Sequence, residues 1–322
     1  MLKINAGIIG GAGYTGGELL RLLINHPHVE IVFVHSRSHA GSPVSSVHTD
    51  LLGDTELKFT HEIPNTSDVV FLCLGHGESK KIISEIEPKV KVIDLSQDFR
   101  IELNATRDFT YGLPELNREK IKLSANIANP GCFATAIQLA LLPLAEKGLL
   151  QSDITVNCTT GSTGAGQALS ESSHFSWRQN NLSVYKAFTH QHLAEITKSM
   201  KQLQSGFNNN ILMLPQRGSF TRGIFACLNL KTQENIETLQ KLYTDYYKDH
   251  PFVHLSKNNV DLKQVINTNK CLLYLEKHND QLMVISIIDN LLKGASGQAV
   301  QNMNLLFGFD ETTGLKLKAS AF

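Results

Sequence analysis

Over the first 130 residues, short unbroken hydrophobic runs alternate with amphipathic stretches. Residues 3–9 and 30–34 read as buried strands, and between them residues 18–24 put Leu19, Leu20, Leu22 and Leu23 on the inner face of a helix. That order is a βαβ unit. Further apolar runs at 69–74 and 90–95 flank a helical stretch at 78–86. Strands that lack polar alternation need cover on both faces, so the pattern predicts a parallel sheet wrapped by helices. From about Asp153 the texture changes: longer strands at 154–159, 223–230, 271–276 and 282–288, with helices between some of them, predict a mixed α+β domain, and the polar stretch 205–210 reads as a loop. The chain closes on a helix that Ser296 is placed to cap. Ala299, Met303 and Leu306 share one of its faces and Gly308 can end it.

Composition narrows the function classes. With 322 residues, 42% hydrophobic and 19% charged, the chain has material for two well-filled domains. Thirty Lys plus Arg balance thirty Asp plus Glu, so there is no basic field for a nucleic acid or an anionic membrane. The longest apolar run, 134–145, is interrupted by Gln138 and Pro143 and falls short of the ~20 residues that span a bilayer. The amino end reads as strand and glycine turn rather than a signal peptide. Five cysteines, an odd number without a CxxC pair, argue against disulfides and a zinc cage and for a reducing cytoplasm.

The run Gly10-Gly11-Ala12-Gly13-Tyr14-Thr15-Gly16 lies between the first strand and the first helix and satisfies both GxGxxG and GxxGxxG. Glycines are needed there because the chain must turn off the strand, admit a pyrophosphate to the backbone and hold the helix close, while the helix amino terminus takes the phosphate charge. This context sets it apart from a merely tight turn. The second strand ends in His35-Ser36-Arg37-Ser38, without the acid that takes a ribose 2′-hydroxyl. A guanidinium between hydroxyls suits a 2′-phosphate and points to NADP(H); the plain alternative is an arginine on a solvated loop.

Cys73, Cys158, Cys227 and Cys271 lie in or beside strand segments, where a thiol behaves as a small hydrophobe. Cys132 differs. It follows Asn129-Pro130-Gly131 at the mouth of a helix whose inward residues are Phe133, Ile137, Ala140, Leu141 and Leu144. The positive end of a helix dipole favours a thiolate, so the position suits a nucleophile, against the alternative of a structural thiol in the cap region. His190-Gln191-His192-Leu193-Ala194-Glu195 offers a base, since on a helix His192 and Glu195 share a face and the carboxylate can orient the imidazole. The HxH spacing is also that of half a metal site or of a polar surface. No further ligands with recognisable spacing accompany it, so no metal is expected. The loop Thr160-Gly161-Ser162-Thr163-Gly164-Ala165-Gly166 reads equally as an anion nest or as a flexible connection.

Taken together, the glycine phrase through Leu20, Asp94-Leu95-Ser96-Gln97-Asp98-Phe99-Arg100, Tyr111-Gly112-Leu113-Pro114-Glu115-Leu116, Ala128-Asn129-Pro130-Gly131-Cys132 and the stretch from Asp289-Asn290-Leu291-Leu292-Lys293-Gly294 to Ala299 resemble the N-acetyl-γ-glutamyl-phosphate reductase family. The wider group is that of aspartate-semialdehyde dehydrogenase. The resemblance implies NADPH-dependent reduction of N-acetyl-L-glutamyl 5-phosphate to N-acetyl-L-glutamate 5-semialdehyde, with release of phosphate through a Cys132 thioester, in arginine biosynthesis. His192 matches the family's acid/base histidine, Glu195 its acid and His190 the flanking histidine, set with the substrate. Arg100 would hold the substrate phosphate, Asn290 would lie near the nicotinamide and Lys293 at the floor of the site, with Asn129 and Gly164 also beside the substrate. The implied fold is α/β: a Rossmann-type parallel sheet domain plus an α+β middle domain with a mixed sheet. The first, NADP-binding, takes 1–130 plus 291–322; the second, 131–290, carries catalysis, substrate binding and dimerisation in a cytoplasmic homo-oligomer, dimer or tetramer.

Two places depart from the family pattern. Ala194 stands where a proline is usual, and Leu214-Pro215-Gln216-Arg217-Gly218-Ser219-Phe220-Thr221-Arg222-Gly223 keeps the terminal Arg-Gly but not the His-Leu and Pro-Met elements. The alternative readings are therefore the same chemistry on N-succinyl-glutamyl phosphate, with Arg217 facing the extra carboxylate, or on N-acetyl-aminoadipyl phosphate of a lysine route.

Overall fold

A computed structural model describes residues 3–101 and 107–321. The chain forms two compact units, Met1–Pro130 with Ala295–Lys316 and Gly131–Gly294 with Leu317–Phe322.

The sheet of the first unit comprises β1 (Ile4–Ile9), β2 (Val29–His35), β3 (Phe59–Thr60), β4 (Val69–Leu72), β5 (Lys91–Asp94), β6 (Thr110–Tyr111) and β7 (Asn126–Ala128). All seven run parallel in the order β3-β2-β1-β4-β5-β7-β6. The order reverses beside β1, the place where an open α/β sheet receives a ligand at its carboxyl edge. All four residues of β4 are buried, as continuous cover requires. Helix α1 (Tyr14–Leu23) starts inside the glycine run, four residues before the apolar periodicity begins. A Cβ on Gly16 would lie 2.6 Å from Gly10 O, so only glycine lets that first turn sit against the loop. The stretch read as a helix at 78–86 is one α turn, α2 (Ser79–Ile82), continued as a 3-10 turn at Ile83–Glu85. Pro88 follows too closely for a longer helix, because it bars helical geometry at the residue before it. Two further helices complete the unit, α3 (Pro114–Lys122) and α8 (Gly297–Leu306), the latter buried along its whole length. Ser296 does not cap α8: it is itself helical, in a π turn at Leu292–Ser296, and its hydroxyl donates to Thr15 O at 2.9 Å. Gly308, at φ +70°, ends the helix as its position suggests.

In the second unit, β8 (Ile154–Thr160), β9 (Ser183–Val184), β10 (Ile211–Arg217), β11 (Ile224–Lys231), β12 (Val253–Leu255), β13 (Cys271–His278) and β14 (Gln281–Ile288) make a mixed sheet, in the order β12-β13-β14-β11-β8-β10-β9. β10 pairs parallel with β8, while β8, β11, β14 and β13 are successively antiparallel. Strand β10 is absent from the sequence reading, since Pro215 in its middle argues against a strand. Its helices are α4 (Cys132–Glu146), α5 (Phe175–Arg178), α6 (His192–Leu203) and α7 (Ile236–Tyr247). Helix α4 is buried from Phe133 to Ala145 and contains Pro143. A proline leaves the carbonyl four residues back without its helical donor. That carbonyl, Leu139 O, receives the Tyr247 hydroxyl at 2.6 Å, and Tyr243 donates likewise to Ala140 O. The helix that begins at Cys132 is thus held rigid despite its proline. The final residues also belong here: Ser320 N donates to Ile266 O and Asn267 Nδ2 to Lys318 O, each at 3.1 Å, whereas the expected division keeps 291–322 together.

Candidate active site

The glycine loop of the first unit is shaped from inside. Gly10 has φ +84°, and a Cβ there would meet Cys73 O at 2.4 Å; one on Gly11 would meet Val34 Cγ1 at 2.2 Å. The amides of Gly10 and Gly11 both donate to His35 O at 3.1 Å, which ties the loop to the end of β2. Gly13 differs, for a Cβ there would meet nothing nearer than Gly10 O at 3.6 Å. Its outer face is open, and as the N-cap of α1 it has no side-chain cap, so the first-turn amides of Tyr14, Thr15 and Gly16 are available to an anion. The cradle, with Ala12 at its centre, therefore fits a pyrophosphate. His48 supports it from behind, with Nε2 2.8 Å from Gly11 O. Beyond β2, Ser36 is buried with its Oγ 3.5 Å from that of Ser38, His39 Nδ1 lies 2.8 Å from Ser38 Oγ, and Arg37 is exposed. This edge carries donors and a cation in place of an acid, which fits a ribose 2′-phosphate.

In the second unit, Cys132 is the first residue of α4 and partly exposed. Two glycines make room around it. A Cβ on Gly131 would lie 2.3 Å from His192 Nε2, and one on Gly294 would lie 2.8 Å from Cys132 Cβ. The His192 ring is therefore pressed onto the peptide that precedes the thiol. His192 opens α6, and Glu195, one turn on, places Oε1 3.9 Å from His192 Nε2 while Oε2 accepts from Gly131 N at 3.0 Å. One buried carboxylate thus accepts from the turn that presents the thiol and lies close to the imidazole beside it. His190 is a neighbour of another kind: its ring stands edge-on to His192 at 4.6 Å and to Phe133 at 5.4 Å, and its Nδ1 accepts from His192 N at 3.2 Å. Burial, with the charge of Lys186 adding, lowers its pKa to about 4, so it is neutral at physiological pH.

Around this centre, Tyr185 stands edge-on to His190 at 5.8 Å, and burial, then the charge of Cys132, pushes its hydroxyl pKa upward. Neither Tyr185 nor the two close-approach glycines stands out in the sequence, and the glycines' partners, His192 and Cys132, lie 61 and 162 residues away. Gly164 lies in the loop after β8, where Asn290 Nδ2 donates to Thr163 Oγ1 at 3.0 Å while Asn290 Oδ1 accepts from Gly223 N at 2.7 Å. The neighbouring Asp289 is fully buried and takes a two-point contact from Arg222 together with the amides of Asn267, Leu291 and Leu292. It anchors the segment that brings Gly294 over the thiol. Lys293 is fully buried, 5.9 Å from the centroid of Phe252. In the first unit, Arg100 donates Nε to Asn129 O and Nη2 to Leu95 O, and Asn129 spends its amide on Ala295 O and Asn302 Nδ2. Both ends of the Asn129 side chain are used to hold the chain ahead of Cys132. Of the other cysteines, Cys73 is pushed up to about 12, and Cys158 and Cys227 are also pushed upward, in each case chiefly by burial. Among the described residues no group of three or more His, Cys, Asp or Glu could hold a metal ion, and no helix is long and apolar enough to cross a membrane.

Comparison with known proteins places this geometry. Residues 5–124 match the family model of the semialdehyde dehydrogenase NAD binding domain and residues 132–290 that of the semialdehyde dehydrogenase dimerisation domain. The N-acetyl-gamma-glutamyl-phosphate reductase of Phocaeicola vulgatus is 59% identical over 99% of this chain and 100% of its own length; that of Bacteroides thetaiotaomicron is 56% identical over the same shares. The chain belongs to the N-acetyl-gamma-glutamyl-phosphate reductase family. The fold extends more widely than the family. Aspartate semialdehyde dehydrogenase II from Vibrio cholerae superposes with a TM-score of 0.75 at 17% identity, covering 96% of this chain and 99% of that one. The aspartate semialdehyde dehydrogenase from Candida albicans, solved with NADP, gives 0.68 at 16% identity, covering 95% and 98%. The parallel and mixed sheets are those of this shared α/β architecture.

Proposed function

We propose that the chain reduces N-acetyl-L-glutamyl 5-phosphate to N-acetyl-L-glutamate 5-semialdehyde with NADPH, releasing phosphate. The observation that carries the reading is the joint at Gly131, where one carboxylate serves a helix-mouth thiol and its neighbouring imidazole. His192 takes the proton from Cys132 Sγ, the sulfur attacks the acyl carbon, and the carbon–oxygen bond to phosphate breaks; His192 then returns the proton to the departing phosphate oxygen. Glu195 stabilises the imidazolium between those transfers. A thioester accepts a hydride far better than a carboxylate, which is what covalent catalysis gains. Bound NADPH supplies that hydride. The resulting thiohemiacetal oxyanion, held by the Cys132 amide at the head of α4, expels the thiolate as the aldehyde forms. His192 is favoured over His190 as the base because His190, neutral with a pKa of about 4, is too weak a base near neutrality.

Gly10, Gly11, Ala12, Gly13, Tyr14, Thr15 and Gly16 would hold the pyrophosphate, and Ser36, Arg37 and Ser38 the 2′-phosphate. Arg100 is assigned to the substrate phosphate, and His190, Gly164 and Lys293 to the substrate pocket. Asn129 and Asn290 serve to position the backbone, since their side chains are engaged with it. In this reading the first unit binds the cofactor and the second carries catalysis and the contacts of a cytoplasmic homo-oligomer. Exposed Phe175, Leu182, Val184 and Phe188 on the second unit supply apolar surface for such contacts. The names of the relatives support acetyl over the other acyl groups. The reverse reaction tests the proposal: N-acetyl-glutamate semialdehyde should reduce NADP only when phosphate is added. Reduction at the same rate without phosphate would reject the acyl-enzyme route.

A further inference from the structure

Beneath the glycine loop of the first unit, one ring touches both the loop and the helix that the loop opens. His48 is buried just ahead of a 3-10 turn at Thr49–Leu51 and places Nε2 2.8 Å from Gly11 O. A carbonyl oxygen can only accept, so Nε2 carries the proton. Another edge of the ring fills the gap left by Gly17 of α1, where a Cβ would lie 2.4 Å from His48 Cε1 and 2.6 Å from its Nδ1. Two residues on, Asp50 takes a two-point contact from Arg21 of the same helix, Nε to Oδ2 at 2.6 Å and Nη2 to Oδ1 at 2.7 Å. The ring is fixed twice, by the helix it packs on and by the ion pair that ties its own turn to that helix. Burial keeps its pKa below the usual 6.5, so it is neutral near pH 7.

The peptide group carries this contact to the other side of the loop. The Gly11–Ala12 bond is trans, so its carbonyl and its amide point in opposite directions. With Gly11 O turned inward onto His48, the Ala12 N–H is turned outward; Ala12 is partly exposed, and its amide has no acceptor among the described residues. A donor at the carbonyl also polarises the amide across the peptide. The amides of Gly10 and Gly11 are spent on His35 O and that of Gly13 on Gly10 O, so within residues 10–13 the Ala12 amide is the donor left for a ligand.

We propose that His48 is a positioning residue for the cofactor: it holds the Gly11–Ala12 peptide with its N–H aimed at the pyrophosphate of NADP(H). The inference rests on the reading that the glycine run holds the pyrophosphate, and it is independent of the acyl substrate.

Three variants test it. His48→Met fills the space of the ring without a donor, His48→Gln keeps an N–H, and Gly17→Ala pushes the intact ring aside. Dissociation constants for NADPH and NADH are read by fluorescence, along with that of adenosine 2′-phosphate, a probe without the pyrophosphate, by displacement; KM and kcat come from phosphate-dependent NADP reduction. The Met variant should weaken NADPH and NADH alike by about tenfold, as loss of one hydrogen bond to a charged group does, and raise the KM for NADP by a similar factor. Its kcat should stay within about twofold and its affinity for adenosine 2′-phosphate should hold, whereas the Gln variant should recover most of the loss. Gly17→Ala should show the same split, and it reads the proposal should the Met variant fail to fold. Equal losses in the Met and Gln variants, weakening of adenosine 2′-phosphate as large as that of NADPH, or a fall in kcat with KM unchanged overturns the proposal. Unchanged NADPH binding in His48→Met, beside weakened binding in Gly13→Ala, rejects the role of His48 alone; unchanged binding in both rejects the glycine-run reading beneath it.

Discussion

The two units of this chain each place a glycine just ahead of a helix, and the two glycines answer opposite needs. Gly13 precedes α1 with open space where a side chain would be; Gly131 precedes α4 with that space filled by the His192 ring. The first keeps the backbone bare for a ligand from outside. The second keeps it bare for a residue of the same chain, 61 positions later. A glycine at a helix mouth therefore does not by itself reveal an anion site, and what fills the missing Cβ decides between recognition and catalysis.

The largest effect that separates the two units is Cys132→Ser. It should lower turnover by at least about 10³-fold and abolish the thioester seen by mass spectrometry, while NADPH binding measured by fluorescence persists. Retention of substantial turnover would make the thiol incidental. The glycines come next. Gly131→Ala must displace His192 or the turn, costing about 1–3 kcal/mol of stability and about 100-fold in kcat. Gly13→Ala meets no neighbour inside 3.6 Å at φ −78°, so Tm should hold while the KM for NADPH rises. If both variants changed only Tm, or both only KM, the contrast would be lost. Smaller again is Arg37→Asp, which should move the NADPH to NADH preference by about tenfold or more, as removal of a charged contact to phosphate does.

These regions were also unequally legible. The glycine loop is contiguous and offers its backbone, so the spacing between strand and helix marks all of it as a candidate. The thiol centre draws on residues 131, 132, 185, 190–195 and 294. Its proposed nucleophile and base are candidates that helix position and spacing already suggest. Tyr185, Gly131 and Gly294 are not, because their importance arises only when β10, α6 and the turn after β14 converge. Likewise Pro215 hid a strand and the glycines hid the first turn of α1, in both cases because tertiary packing overrode a local preference. Ser296 was misread as a cap for the complementary reason: its hydroxyl finds a better acceptor, Thr15 O, outside its own helix.

The mildest test uses acid. Two buried groups, one in each unit, respond to pH in opposite senses. His190, at about 4 instead of 6.5 because of burial, is neutral in both folded and unfolded chains above pH 6.5. As the pH falls from 6.5 towards 4, the unfolded chain takes up a proton that the folded one refuses, so stability is lost across that window, on the order of 2 kcal/mol after solvent screening. Asp94, pushed up to about 6 by burial against the hydrogen bonds from Ser79 and Ser96, acts in reverse: its folded form keeps a proton that the unfolded chain has released, so its contribution is present below pH 3.8 and lost as the pH rises through 6. The opposing slopes partly cancel in the whole chain and separate in variants. His190→Gln should flatten the rise of unfolding free energy with pH between 4 and 6.5 relative to the unsubstituted chain without abolishing it, because His26, His35, His48 and His254 are also held down by burial and act in the same sense as His190. Asp94→Asn should steepen that rise over the same range. Parallel pH profiles for the two variants, measured by denaturant unfolding, would show that neither group sets the acid response and that the thiol centre is not kept neutral by burial of His190.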